Sequence, residues 1–142
     1  MMKSIVELCL NKLKRNDLTL ACAEASLGGL LGQSIVAIPG ASQVFRGTIS
    51  TYSNQSKINI LGISDDLMDV YGAVSVEVVT QMALKVKELF QSDFVIAESG
   101  IASPIVGSQK SSGLYFIGCF SDKSSVVEQF QFKGYRDQIM NE

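Results

Sequence analysis

Leu18-Thr19-Leu20-Ala21-Cys22-Ala23-Glu24-Ala25-Ser26-Leu27-Gly28-Gly29 is the stretch on which the fold turns. Leu18 to Ala23 is short and mostly apolar, which suits a strand buried on both faces. Glu24 to Gly29 breaks that run and opens a second helical segment closed by Pro39-Gly40. Strand, turn and helix in that order are the opening unit of an α/β domain.

Upstream, Ile5, Leu8, Cys9 and Leu13 recur at helical spacing, with Lys3, Lys12, Lys14 and Arg15 elsewhere. The pattern predicts an amphipathic helix ending near Asn16-Asp17. Downstream, Phe45 to Tyr52 is rich in β-branched and aromatic residues and reads as a strand. Short helical turns are expected at Ser56 to Leu61 before Gly62 and at Asp65 to Val70 before Gly72. Ser75 is a natural N-cap, and Val78, Val79, Met82, Ala83, Val86, Leu89 and Phe90 form the clearest helical stripe in the chain. Phe94 to Ala97 reads as a buried strand, left by a loop that runs from Glu98 through Ser112. Leu114 to Phe120 and Val126 to Phe132, joined by Ser121-Asp122-Lys123-Ser124, predict an antiparallel hairpin, and Gly134 opens a short terminal helix. The expected fold is α/β: a mixed β-sheet covered by helices in α/β/α layers, with a C-terminal β-hairpin.

Bulk properties narrow the function. The 142 residues suit one domain spanning 1–142, and 46% hydrophobic with 18% charged residues is a globular composition. Twelve basic against fourteen acidic side chains leave a formal charge of -2, so no general field attracts nucleic acid or an acidic membrane. The absence of histidine removes histidine-based triads and imidazole metal ligands. Cys9, Cys22 and Cys119 lie in apolar stretches without metal-ligand spacing and read as buried thiols, so no metal is expected. Glu7 interrupts the first apolar residues, so no signal peptide is recognised and the expected location is cytoplasmic.

Three segments could carry chemistry. Glu24 to Gly29 hands a strand end to a helix whose free amides would welcome an anion, with Gly28 and Gly29 letting a ligand approach the backbone. Alternatively, Ser26 caps the helix while the glycines permit close packing, the reading this motif by itself favours. Tyr52-Ser53-Asn54-Gln55-Ser56-Lys57 places a tyrosine and a lysine at a strand's C-terminal edge, where α/β sites collect. Lys57 is a base if desolvated, and otherwise an anion binder or a surface lysine. Ser99-Gly100-Ile101-Ala102-Ser103-Pro104 could supply donors to a carbonyl or phosphate, or be a plain turn. Arg136 could reach a phosphate with its planar fork, although a lone arginine is usually solvated.

Taken together, these segments resemble the C-terminal domain family of the competence-damage inducible protein CinA. Its pattern runs from an Ala-Glu-Ser-Cys-Thr-Gly-Gly turn through Tyr-Ser-Asn-x-x-Lys and Gly-Ala-Val-Ser to Ser-Gly-Ile-Ala-Gly-Pro. Here those stretches read Ala23 to Gly29, Tyr52 to Lys57, Gly72-Ala73-Val74-Ser75 and Ser99 to Pro104. Phe132-Lys133-Gly134-Tyr135-Arg136 resembles the family's Phe-x-Gly-Asp-Arg. The resemblance implies a hydrolase of pyridine nucleotide salvage that splits the amide of nicotinamide mononucleotide into nicotinate mononucleotide and ammonia, without metal or cofactor. It implies an attacking serine in the first motif, assisted by the lysine and tyrosine of the second. Mapped onto this chain, the catalytic candidates are Ser26, Tyr52 and Lys57. The substrate-binding candidates are Glu24, Gly28, Gly29, Asn54, Ser99, Gly100, Ser103 and Arg136.

The departures set the alternatives. The family's attacking serine is replaced by Ala25, its cysteine by Ser26 and its threonine by Leu27. Alanine cannot attack a carbonyl, so either Ser26 stands in after a local shift or the chain is an inactive nucleotide-binding or interaction domain of the same fold. Ser103 and Tyr135 replace a glycine and an aspartate, and the chain stops at Glu142 where the family's terminal helix continues, an expected C-terminal shortening. Neither a nucleic acid nor a membrane is an expected partner; a small nucleotide is, and a homo-oligomer stays open.

Overall fold

Alternation along one strand organises the molecule. The structure, a computed structural model, describes residues 2–142. In β1 (Leu20–Glu24), Ala21 and Ala23 point into one core and Leu20 and Cys22 into another, all of them buried. A strand with both faces covered must be central, which is why its residues form an unbroken apolar run. The sheet order is β2-β1-β3-β4-β5, with β2 (Phe45–Ser50), β1 and β3 (Phe94–Gly100) parallel. β4 (Leu114–Phe120) and β5 (Ser125–Gln131) complete it as the antiparallel hairpin. The sheet is therefore mixed, as expected, and open.

One core lies beneath α5 (Val76–Phe90), whose Val78, Val79, Met82, Ala83 and Val86 are all fully buried against β1 and β3. Ser75 caps this helix, its hydroxyl accepting from the Val78 amide at 3.3 Å. α3 (Asn54–Leu61) and α4 (Asp65–Tyr71) close the same side through Leu61, Ile63 and Met68. Each begins at a serine whose hydroxyl accepts a backbone amide, Ser53 for α3 and Ser64 for α4.

On the other side lie α1 (Met2–Arg15) and α2 (Leu30–Val36), whose Leu10, Leu13 and Ile35 meet Leu20 and Cys22. Here the expected stripe holds at Leu13, which is buried, and is corrected at its other members. Ile5 and Leu8 are 61% and 69% exposed, and α1 turns Val6, Leu10 and Leu13 inward instead, an i, i+4, i+7 set equally available in the sequence. Cys9 lies on the outer side of that rotation, and Cys119 sits on β4 beside it, so both thiols are exposed and only Cys22 is buried. β3 also runs three residues past Ala97, because Glu98, Ser99 and Gly100 pair with Ile117, Phe116 and Tyr115 of β4. α2 ends earlier than expected, and a single 3-10 turn, Ala41–Gln43, leads into β2. α6 (Arg136–Asn141) docks Ile139 near Ala102 and Tyr115. Among the described residues no helix is long and apolar enough to cross a membrane.

Candidate functional site

The C-terminal ends of β1, β2 and β3 open onto a cavity of about 350 Å³. Ser26, Tyr52, Asn54, Lys57, Ser99, Gly100, Ser103 and Arg136 all line it, so eight residues nominated from sequence converge at one place. A strand end that turns directly into a helix or loop puts side chains from distant segments around the same opening. Ala25, Ala73 and Val74 contribute apolar wall.

Lys57 is only 3% exposed, and its ammonium donates to the Thr51 carbonyl at 2.9 Å. Burial pulls its pKa below the ordinary lysine value, and the Glu98 charge opposes that shift. Arg136 spans the mouth: Nη2 donates to the Tyr52 hydroxyl and Nη1 to the Ser103 hydroxyl, both at 3.0 Å. The Ser99 hydroxyl donates to the Ala73 carbonyl at 2.9 Å, and the Lys110 ammonium donates to the Tyr71 and Val74 carbonyls. These bonds fix the turn that presents Ala73 and Val74 to the cavity, an anchoring role that spacing alone does not disclose for Lys110.

Glu24, Gly28 and Gly29 are not among the cavity's lining residues. The Glu24 carboxylate is fully buried, and its Oε2 accepts the amides of Gly29 and Leu31 at 2.9 and 3.1 Å. Its Oε1 accepts the Gly32 amide at 2.9 Å and the Thr48 hydroxyl at 2.8 Å. The anion that α2 attracts is thus the chain's own side chain. Gly28 and Gly29 are glycines because φ is +65° and +103°, and a Cβ on either would meet nothing within 4 Å.

Glu98, passed over as the start of a loop, is the principal residue that sequence reasoning missed. It pairs in register with Glu24 across the parallel β1–β3 ladder and is 1% exposed. Its Oε1 accepts the amides of Ala25, Ser26 and Leu27 at 2.8, 2.8 and 3.1 Å. Its Oε2 accepts the Ser26 hydroxyl at 2.6 Å. Burial raises its pKa, with the Ser26 hydroxyl and the three amides pulling the other way. Ser26 therefore donates to Glu98, and Lys57 to the Thr51 carbonyl. The one sequence signal for Glu98 is an acidic residue at the end of an otherwise apolar strand, which demands a partner. Tyr115 was also unrecognised: it is 2% exposed, and its ring packs so closely on Gly100 that a Cβ there would meet ring carbons at 2.2 Å.

The family model of the CinA C-terminal domain matches residues 2–142. The chain belongs to that family. Among curated CinA relatives, the CinA-like protein of Thermotoga neapolitana is 42% identical over 134 residues, 94% of this chain and 33% of its own length. The CinA-like protein of Petrotoga mobilis is 38% identical over 138 residues, covering 96% of this chain and 34% of that protein. The chain thus spans about a third of the curated CinA relatives it matches. The competence or damage-inducible protein from Enterobacter asburiae shares the fold at TM-score 0.94 and 24% identity, covering 99% of this chain and 89% of that one. CihA, a competence/damage inducible protein from Agrobacterium tumefaciens, does so at TM-score 0.92 and 25% identity, over 98% and 86% of the two chains. Among the described residues of this CinA domain, no group of three or more His, Cys, Asp or Glu could hold a metal.

Proposed function

We propose that this CinA domain binds a nicotinamide mononucleotide-like nucleotide in the strand-end cavity without hydrolysing its carboxamide. One observation carries the reading: the cavity sets a buried cation, Lys57, and a mouth cation, Arg136, around a wall where the family's attacking serine is the Ala25 methyl. The guanidinium of Arg136 suits a phosphate, and the apolar wall of Ala25, Ala73 and Val74 suits a flat ring carrying an amide. The 350 Å³ lies at the lower end of the range for small-molecule sites. Arg136 would release Tyr52 and Ser103 to take the phosphate, while Asn54 and the segment from Ser99 to Ser103 supply neutral donors and acceptors.

A second reading has one observation in its favour. Ser26 borders the cavity, and its hydroxyl lies 2.6 Å from Glu98 Oε2, within proton-transfer distance. In that reading Ser26 attacks the carboxamide and Glu98 takes its proton. Calorimetric titration with nicotinamide mononucleotide, run beside an ammonia-release assay, separates the two. Binding without ammonia supports the first. Ammonia release that disappears in Ser26→Ala establishes the second, and absence of both binding and turnover refutes both.

A further inference from the structure

Resting on the reading of an intact but non-hydrolytic cavity, the geometry points to Glu98 as a second lock on the site, so that restoring a serine at position 25 is insufficient while the Glu98 carboxylate remains. Acyl transfer needs donors free to meet the negative charge that develops on the carbonyl oxygen. At this strand end the natural donors are the amides of residues 25, 26 and 27. All three point at Glu98 Oε1, and the neighbouring hydroxyl of Ser26 points at Oε2. The next set of amides, at Gly29, Leu31 and Gly32, is held by Glu24. Six amides of one strand-turn-helix unit are therefore satisfied from within by two carboxylates that stand side by side in the sheet.

The consequence is electrostatic as well as geometric. Above the raised pKa of Glu98, an oxyanion forming beside residue 25 would meet a buried negative charge where an acyl-transfer site presents positive dipoles, and low-dielectric surroundings strengthen the repulsion. The same charge acts on Lys57, opposing the desolvation that would otherwise make that amine a better base. Glu98 thus works against two requirements of serine chemistry at once: free donors and an unprotonated lysine. Ala25 removes the nucleophile, and Glu98 removes the environment the nucleophile would need.

The test uses no nucleotide, so its failure is distinct from a failure of the nucleotide-binding reading. Ala25→Ser, Ala25→Ser/Glu98→Ala and wild type are treated with a fluorophosphonate, and labelling at residue 25 is followed by mass spectrometry. In this reaction the serine Oγ–phosphorus bond forms, the phosphorus–fluorine bond breaks, and the hydroxyl proton passes to the local base. The expected result is labelling at least tenfold faster in the double variant than in Ala25→Ser. Equal rates, or no labelling in either, overturn the proposal. Should Glu98→Ala fail to fold, Glu98→Gln gives the second readout. The amide proton resonances of Ala25, Ser26 and Leu27 should move upfield together as the charge they point to is removed. Unmoved resonances overturn the proposal too.

Discussion

At the scale of single residues, the titration of Glu98 gives a signed expectation. Burial holds its pKa above the ordinary 4.5, so between those two values the folded protein binds more protons than the unfolded chain. The stability contributed by Glu98 is then fully present below pH 4.5 and is lost as pH rises through the raised pKa. Glu98→Gln keeps an acceptor for the three amides and lacks this loss. Its melting temperature relative to wild type should therefore climb from about pH 4.5 toward neutrality and then level off; thermal unfolding across that range measures it, and a flat difference contradicts the assignment. Gly100 offers an independent check on the floor of the cavity. A methyl there would enter the ring of Tyr115, which is buried and packed edge-on against Phe132. Gly100→Ala should destabilise by about 1–3 kcal/mol in denaturant titration, an overpacking penalty.

Among the elements, α1 shows how a helix can be legible in existence and wrong in orientation. Two apolar sets at helical spacing share it, and the sheet surface decides which faces inward. Leu10 is 5% exposed and Leu8 is 69% exposed, so Leu10→Ala should cost about 2–4 kcal/mol by chemical denaturation and Leu8→Ala close to nothing. Equal losses would restore the orientation expected from the stripe of Ile5, Leu8, Cys9 and Leu13. α5 was readable in full because cap, stripe and length agree, and the hairpin because two β-rich runs flank a polar link. The strand-end cluster was readable for a related reason: in an α/β sheet, motif residues that follow strands share one edge. Glu98 was not readable, since its role depends on lateral register with β1 and on bonds reaching 71 to 73 residues along the chain. The sequence shows that the helix start offers amides to an anion, but spacing does not say which anion takes them, so the bonds from Gly29, Leu31 and Gly32 to Glu24 were not readable.

Over the whole molecule, the sheet has unequal covers, and the thiols report that difference. Cys22 lies in the core between β1 and α1, whereas Cys9 and Cys119 line an apolar groove between α1 and the β3–β4 region. Native alkylation followed by mass spectrometry should modify Cys9 and Cys119 and spare Cys22 until the protein is unfolded. The rate should be slow even at the two exposed positions, since partial burial raises both thiol pKa values and lowers the thiolate fraction. Arg136 joins three distant parts of the chain, tying the start of α6 to Ser103 after β3 and to Tyr52 after β2. Arg136 and both its partners are exposed or partly so, and such contacts between solvated groups contribute little to folding. Its place at the cavity mouth means that a bound phosphate would gain what folding does not. Arg136→Ala should therefore leave the unfolding midpoint nearly unchanged while weakening nicotinamide mononucleotide binding about tenfold or more by calorimetry, the scale of one charge-assisted hydrogen-bond pair. A large loss of stability with unchanged affinity would instead make Arg136 a fastener of α6, and the phosphate end of the proposed ligand would have to lie elsewhere in the cavity.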